Sequence, residues 1–309
     1  MCAIINQLIF SFMRRIPFVL VIIFLSSCSS GKLPKYRDPA VPVDERVEDL
    51  VKKMTLDEKV AQLQALHAKD TVIFDKDGNF VGRNDSAVLY HGAGAYYGRN
   101  FRRDYSLEYW VKCYNSLQKF MLEKTRLGIP LFFFGEGLHG YMAPGATSFP
   151  QAIALGCTWD TALVERVFAA AALEASARGT RQVLSPVLDL ARDPRWGRTE
   201  ECYSEDPYLV SRMGMAAVFG FQGRGKIIDH HHVAVTLKHF AGHGQPEGGR
   251  NIAPVNYSER EFRETHLYPF EMAIRKANAQ SVMVSYNEWD GVPNHVNHKL
   301  LTDILRKEW

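Results

Sequence analysis

The chain has 309 residues, of which 46% are hydrophobic and 23% are charged. This balance is typical of a globular protein with one large core, and it excludes a disordered or fibrous chain. The formal net charge of +3 comes without a basic block, because lysines and arginines are interspersed with acids. Nucleic acid is therefore not an expected partner.

The first segment has the pattern of an export signal. Met13-Arg14-Arg15 precedes an apolar run over residues 16–25, which is shorter than the roughly 20 residues of a membrane-spanning helix. The run ends at Leu25-Ser26-Ser27-Cys28, which resembles the bacterial lipoprotein processing box. We therefore expect a signal peptide over residues 1–28, a lipid anchor on the thiol of Cys28 and a tether over residues 29–43. The predicted location is the periplasmic side of the outer membrane.

The cysteines beyond this segment predict neither a disulfide framework nor a metal site. They are three in number and widely spaced, namely Cys113, Cys157 and Cys202. An odd set without metal-ligand spacing is typical of buried thiols, and we expect that of all three.

Helices and strands are predicted to alternate along the rest of the chain. The apolar and polar periodicities favour strands over residues 88–97, 131–134, 183–188, 233–240 and 281–286. Helices are expected over residues 44–53, 55–66, 106–127, 160–179, about 204–221 and 258–276, with a final helix from about His298.

This alternation predicts an α/β fold with a parallel sheet. The best match is a (β/α)8 TIM-barrel-like domain over residues 44–309. A closed barrel of this type needs eight strand and helix units, whereas the sequence shows five clear units and a sixth that is less clear. We therefore expect the barrel to be incomplete at its C-terminal end.

Polar side chains follow four of the predicted strands. Since the carboxyl ends of barrel strands form the active-site rim, these side chains should converge. Carboxylates, cations, imidazoles and aromatic rings on one rim suit a polyhydroxylated ligand. The candidate residues are Glu136, Arg198, Glu201, Lys238, His239 and Tyr286.

Several of these residues also have structural interpretations. Glu136 lies between two glycines and could be a turn acid, and Arg198 with Glu201 could be a surface ion pair. Trp196 could stack on a sugar ring or pack in the core, and we favour packing. Loop-shaping is the expected role of the charged residues near them, Asp189, Arg192, Asp193 and Arg195.

Lys238 and His239 are neighbours on a predicted strand, where successive side chains point to opposite faces. Both can face the rim only if the strand breaks its pleat, and a cis peptide between them is one way. Zinc ligation is the competing hypothesis, but the spacing matches no common zinc pattern. The histidines that it would use are His230, His231, His232, His239 and His243.

The motifs in this order resemble glycoside hydrolase family 3, the β-glucosidase and β-xylosidase family, over residues 44–309. They are GATSFPQAIALG, SPVLDLARDPRWGRTEECYSEDP, TLKHFAGHG and VMVSYNEWDGVP. The resemblance implies exo-acting, retaining hydrolysis of terminal β-linked glucose or xylose without metal or cofactor. It also implies that Glu136, Arg198, Lys238 and His239 bind sugar hydroxyls, that Glu201 supports Arg198, and that Tyr286 lies beside the nucleophile.

The chain departs from the family pattern at the catalytic carboxylates. The family nucleophile is an Asp in a Ser-Asp-aromatic motif, which is absent from these 309 residues. The resemblance places it beyond Trp309 and implies a further C-terminal domain in the full-length protein, so no catalytic residue is expected in this chain. An Asp-His pair typical of the hexosaminidase branch is also absent, because residues 245–249 read Gln-Pro-Glu-Gly-Gly. Two hypotheses remain. In the first, which we favour, the chain is the N-terminal part of a retaining β-glycosidase and is inactive alone. In the second, it is a non-catalytic carbohydrate-binding protein.

Overall fold

The computed structural model describes residues 33–67, 74–82, 86–97 and 106–309. The described residues divide into two compact units, one that ends at Thr55 and one that begins at Leu56. In the first unit, a 3-10 turn (Lys35–Arg37) precedes helix α1 (Val43–Lys53). The predicted signal peptide and Cys28 lie outside the described residues. Within those residues, none of the helices has the length and apolar character to cross a membrane.

The second unit is organised around six parallel strands whose spatial order is the order of the chain. Each strand pairs with the next, and together they form a curled half-barrel with helices. This confirms the predicted α/β fold and its incomplete TIM-barrel-like form. The strands are β1 (Ala65–His67), β2 (Ala95–Tyr97), β3 (Phe132–Gly135), β4 (Gln182–Val183), β5 (Ala234–Phe240) and β6 (Ser281–Val284).

Helices lie between these strands and begin where the sequence predicts. Ser106, Asp160 and Asp206 accept hydrogen bonds from backbone N–H groups of the first turns of three helices, as expected of N-caps. The helices are α2 (Leu56–Gln62), α3 (Leu107–Lys124), α4 (Ala152–Gly156), α5 (Thr161–Ala177), α6 (Pro207–Gln222), α7 (Glu259–Phe262) and α8 (Tyr268–Ala277).

The apolar core lies between the sheet and helices α5 and α6. Phe168 and Phe221 are fully buried there, with ring centroids 4.9 Å apart. Phe221 also reaches the loop after β3, since a Cβ on Gly137 would lie 3.1 Å from its Cζ atom. Packing of this core therefore supports the loop that carries Glu136.

The chain after β6 forms a hairpin and a final helix. A two-stranded antiparallel hairpin, β7 (Glu288–Trp289) and β8 (Val292–Pro293), comes first. A π-helix (Lys299–Glu308) then matches the final helix that the sequence predicts. A second π-helical segment (Arg263–Leu267) joins α7 to α8.

Four details of the prediction were wrong. The strand expected over residues 88–97 is a 3-10 helix (Ser86–His91) followed by the short β2, because Gly92 at φ +90° turns the chain between them. Residues 65–67 form strand β1 rather than the end of a helix. Residues 183–188 are only partly a strand, since β4 ends at Val183 and Val187 forms an isolated bridge with Lys238, while Pro186 between them has no N–H to donate. Cys157 is exposed, whereas Cys113 and Cys202 are buried as expected.

Candidate active site

The predicted site residues lie at the carboxyl ends of four adjacent strands. Glu136 directly follows β3, while Lys238 and His239 belong to the end of β5. Arg198 and Glu201 come from the loop after β4, and Tyr286 follows β6. The parallel arrangement of the strands brings these side chains to one rim.

Two loops hold this rim in place. The N–H of Met142 donates to the carbonyl of Glu136 over 3.0 Å, which folds the loop after β3 back on itself. In the loop after β4, Trp196 is 2% exposed and its Nε1–H donates to Oδ1 of Asn251. Trp196 is therefore a core residue, as the sequence favours, and it anchors the loop that presents Arg198.

Lys238 and Glu136 form an ion pair across the rim. The Nζ of Lys238 lies 3.0 Å from Oε2 of Glu136, and the lysine is 4% exposed. A buried ammonium needs such a partner, because an unpaired charge would be costly. Glu136 is therefore the charge partner of Lys238 at this rim.

Lys238 and His239 both contribute to the rim although they are consecutive. The peptide bond between them is cis, as the sequence-based hypothesis states, and the Phe240–Ala241 bond is also cis. Lys238 contacts Glu136, while His239 contacts Asp189 and Arg198.

Arg198 is the centre of a hydrogen-bonded cluster. Its Nε and Nη2 atoms donate to the two carboxylate oxygens of Glu201 over 2.9 and 2.7 Å. Its Nη2 also lies 3.0 Å from Nε2 of His239, and its Nη1 lies 3.2 Å from Nε2 of His243. The guanidinium fork is thus used by the protein itself, in a partly buried pair rather than a surface one.

Tyr286 lies at the margin of this cluster. Its side chain is 66% exposed, and its ring centroid is 6.3 Å from that of His243. An exposed aromatic face at the margin of a polar site suits contact with a sugar ring.

Two residues of the cluster were not assigned to the site from sequence. Asp189 is fully buried and receives a hydrogen bond from Nδ1 of His239 over 2.7 Å, so the expected loop-shaping role is wrong. Its position as the first charged residue after the apolar run was the available signal. The only individual role that the sequence suggests for His243 is that of a zinc ligand. Among the described residues, no group of three or more His, Cys, Asp or Glu side chains could hold a metal ion.

Burial and charge set the protonation of this cluster. Burial raises the pKa of Asp189, but the hydrogen bonds that it accepts from His239 act against burial, and the pKa lies below its ordinary value. Burial lowers the pKa of His243 to about 4. At neutral pH the cluster therefore contains an ionised Asp189 and a neutral His243.

The sequence profile of the Glycosyl hydrolase family 3 N terminal domain matches residues 55–309. The chain belongs to glycosyl hydrolase family 3. Among curated relatives, a putative beta-xylosidase of Formosa agariphila is 35% identical over 275 residues, which are 89% of this chain and 36% of the relative. The family 3 chain thus spans about a third of the length of that relative.

Solved structures of family 3 show the same architecture. A β-glucosidase from Erythrobacter marinus is 38% identical, with a TM-score of 0.80 over 90% of this chain and 36% of that one. The beta-glucosidase of Listeria innocua in complex with glucose is 35% identical, with a TM-score of 0.72 over 85% of this chain and 36% of that one.

A further buried histidine, His266, predicts that the stability of this family 3 chain depends on pH. His266 is 2% exposed and stacks on Tyr257 at a centroid distance of 4.7 Å. Burial lowers its pKa to about 4, with Arg192 acting in the same direction and Asp189 opposing. The unfolded chain therefore binds more protons below pH 6.5, so stability should fall as the pH drops from about 6.5 to about 4.

Replacing His266 with phenylalanine tests this dependence. The ring can still stack on Tyr257, but one proton-binding difference is lost, so the stability slope should decrease by up to about 1.4 kcal/mol per pH unit. Urea unfolding between pH 4 and 7 measures the slope. His295→Phe, at an exposed position, is the matched control. An unchanged slope in His266→Phe would contradict the assignment.

Proposed function

We propose that these 309 residues supply the sugar-binding part of the active site of an exo-acting, retaining β-glycosidase that acts on terminal β-linked xylose or glucose. The observation that carries the proposal is the convergence of Glu136, Lys238, His239 and Arg198 in one cluster at the rim. The named activities of the relatives, β-xylosidase and β-glucosidase, agree with it.

Neighbouring donors and acceptors suit the vicinal hydroxyls of a pyranose. An ammonium has three N–H donors, and Lys238 uses one of them on Glu136. The other donors and the oxygens of Glu136 can bind two adjacent hydroxyls, each of which both donates and accepts. Charged partners make such hydrogen bonds stronger than neutral ones.

The carboxylates of the cluster do not form a hydrolytic pair. Retaining hydrolysis needs two carboxyl groups about 5–5.5 Å apart, one of them free to attack the sugar. Glu136 is paired with Lys238, and Asp189 is buried against His239. Glu201 accepts hydrogen bonds from Nε and Nη2 of Arg198. We therefore propose that the nucleophile and the acid/base come from a further part of the protein, and that this chain alone binds sugar without hydrolysing it.

The length of Glu136 favours a pentose over a hexose. The family often has Asp at this position, so the extra methylene would narrow the space near the far carbon of the sugar. Xylose lacks the hydroxymethyl group that glucose carries there. A difference of one such group is worth about 1–3 kcal/mol in discrimination.

An NMR titration with methyl β-D-xylopyranoside and methyl β-D-glucopyranoside tests the proposal on this chain without its signal segment. We expect saturable binding of both, with the xyloside bound more tightly by about 5- to 150-fold. Glu136→Asp should reduce the difference between the two sugars. Absence of saturable binding would contradict the proposed function.

A hydrolysis assay separates the two parts of the proposal. With para-nitrophenyl β-xyloside and β-glucoside, this chain should release no nitrophenol above the uncatalysed rate. Hydrolysis by the chain would show that it holds its own nucleophile, and Glu201 would be the first residue to replace.

We also propose that the protein acts outside the cytoplasm as a lipoprotein anchored at Cys28. The support is the sequence of residues 13–28, in which a basic pair, a short apolar run and a Ser-Ser-Cys junction follow one another. The expected face is the periplasmic side of the outer membrane, where β-linked oligosaccharides that enter the periplasm would reach the site.

A further inference from the structure

Asp189 is a buried carboxylate with only one oxygen in use. Its Oδ2 accepts two hydrogen bonds from His239, one from the backbone N–H at 3.2 Å and one from Nδ1 at 2.7 Å. Its Oδ1 has no hydrogen-bond partner among the described residues. One oxygen of this buried carboxylate thus lacks a hydrogen bond, which lowers the free energy of unfolding. Stability alone therefore does not account for this residue.

The position of Arg198 fixes the proton of His239. A guanidinium has only N–H donors, and its Nη2 lies 3.0 Å from Nε2 of His239. The Nε2 atom must then be the acceptor, and the proton of the neutral imidazole lies on Nδ1. That N–H faces Oδ2 of Asp189. The carboxylate and the guanidinium thus hold the same tautomer from opposite sides of the ring.

Arg198 has one N–H donor without a hydrogen-bond partner among the described residues. Of its five N–H groups, two go to Glu201, one goes to His239 and one goes to His243. The remaining N–H is on Nη1. Rotation of the guanidinium would break several contacts at once, so the direction of the free N–H depends on the imidazole of His239 staying in place.

We propose that Asp189 is a positioning residue for the sugar site: it fixes the Nδ1–H tautomer and the orientation of His239, and through His239 it aims the one free N–H of Arg198. The part that concerns sugar rests on the proposed function, whereas the tautomer does not. Second-layer partners of this kind set the ring orientation and proton position of functional histidines in many sites.

The tautomer is measured first, by ¹⁵N NMR of the histidine rings at pH 7 without any sugar. His239 should carry its proton on Nδ1 in the unaltered chain and also in Arg198→Ala, because Asp189 still holds it there. Adding Asp189→Ala to Arg198→Ala should give a mixture of tautomers, whereas adding Asp189→Asn should not, since one carbonyl oxygen can accept both hydrogen bonds of His239. Loss of the Nδ1–H form in Arg198→Ala alone would overturn the proposal. Because this variant keeps Asp189, the test does not depend on whether the Asp189 variants fold.

Sugar affinity is measured second, with methyl β-D-xylopyranoside. Asp189→Ala should bind about tenfold or more weakly, as for loss of a hydrogen bond to a charged group. Asp189→Asn should stay within about threefold of the unaltered chain. Asp193→Ala is the matched control, because this acid of the same loop pairs with Arg195. Equal losses in the Asn, Ala and control variants would overturn the positioning role. No binding by the unaltered chain would instead contradict the proposed function and leave the tautomer result standing.

Discussion

Replacing Lys238 with methionine is expected to weaken sugar binding strongly. The side chain keeps its length but loses the ammonium that lies 3.0 Å from Glu136. Hydrogen bonds to a charged group are worth about 1.5–3 kcal/mol each, so the loss of one toward the sugar weakens binding by about 10- to 100-fold. An NMR titration with methyl β-D-xylopyranoside measures the effect.

The control for this variant is Lys226→Met, at an exposed position on the loop after α6. It removes the same charge from the chain and should leave the affinity within about twofold, because a surface charge contributes little. Far-ultraviolet circular dichroism checks that both variants are folded. An affinity of Lys238→Met within threefold of the unaltered chain would exclude the lysine from the sugar site.

The second large effect is expected from Phe221→Ala. This ring is fully buried between Phe168 and the loop that carries Glu136. Its removal leaves a cavity, and such truncations cost about 3–5 kcal/mol. Urea unfolding at pH 7 measures the loss of free energy of unfolding.

Phe219, two residues earlier on α6, provides the comparison. Its ring is only partly buried, and the guanidinium of Arg224 lies over it at 4.1 Å. Phe219→Ala should cost about 1 kcal/mol or less, since little buried volume is lost and a cation–π contact of this kind is weak at the surface. Similar losses in the two variants would show that Phe221 does not support the core.

The sequence predicts the frame of this site well. Apolar runs of strand length, each followed by polar residues, place Glu136, Lys238 and Tyr286 on the rim, because parallel strands bring their carboxyl ends together. The capping residues Asp160 and Asp206 likewise mark the helix starts. These features depend on local pattern, which a single sequence contains.

Contacts between distant segments are harder to predict. The partner of Asp189 is 50 residues away along the chain, and the sequence does not show that this acid reaches His239, whereas Asp193 pairs with Arg195 two residues away. The short strands β1 and β2 are three residues each. Such segments form strands because neighbouring strands pair with them, so their own periodicity is too short to identify them.

The order of the strands also bears on how the sheet forms. Because each of β1 to β6 pairs only with its neighbours in sequence, no strand has to wait for a distant partner. A chain emerging from the ribosome can therefore add one strand and its helix at a time to an existing edge. The loop closures are shorter than those of a sheet with shuffled order, which lowers the entropic cost of each step and favours rapid assembly.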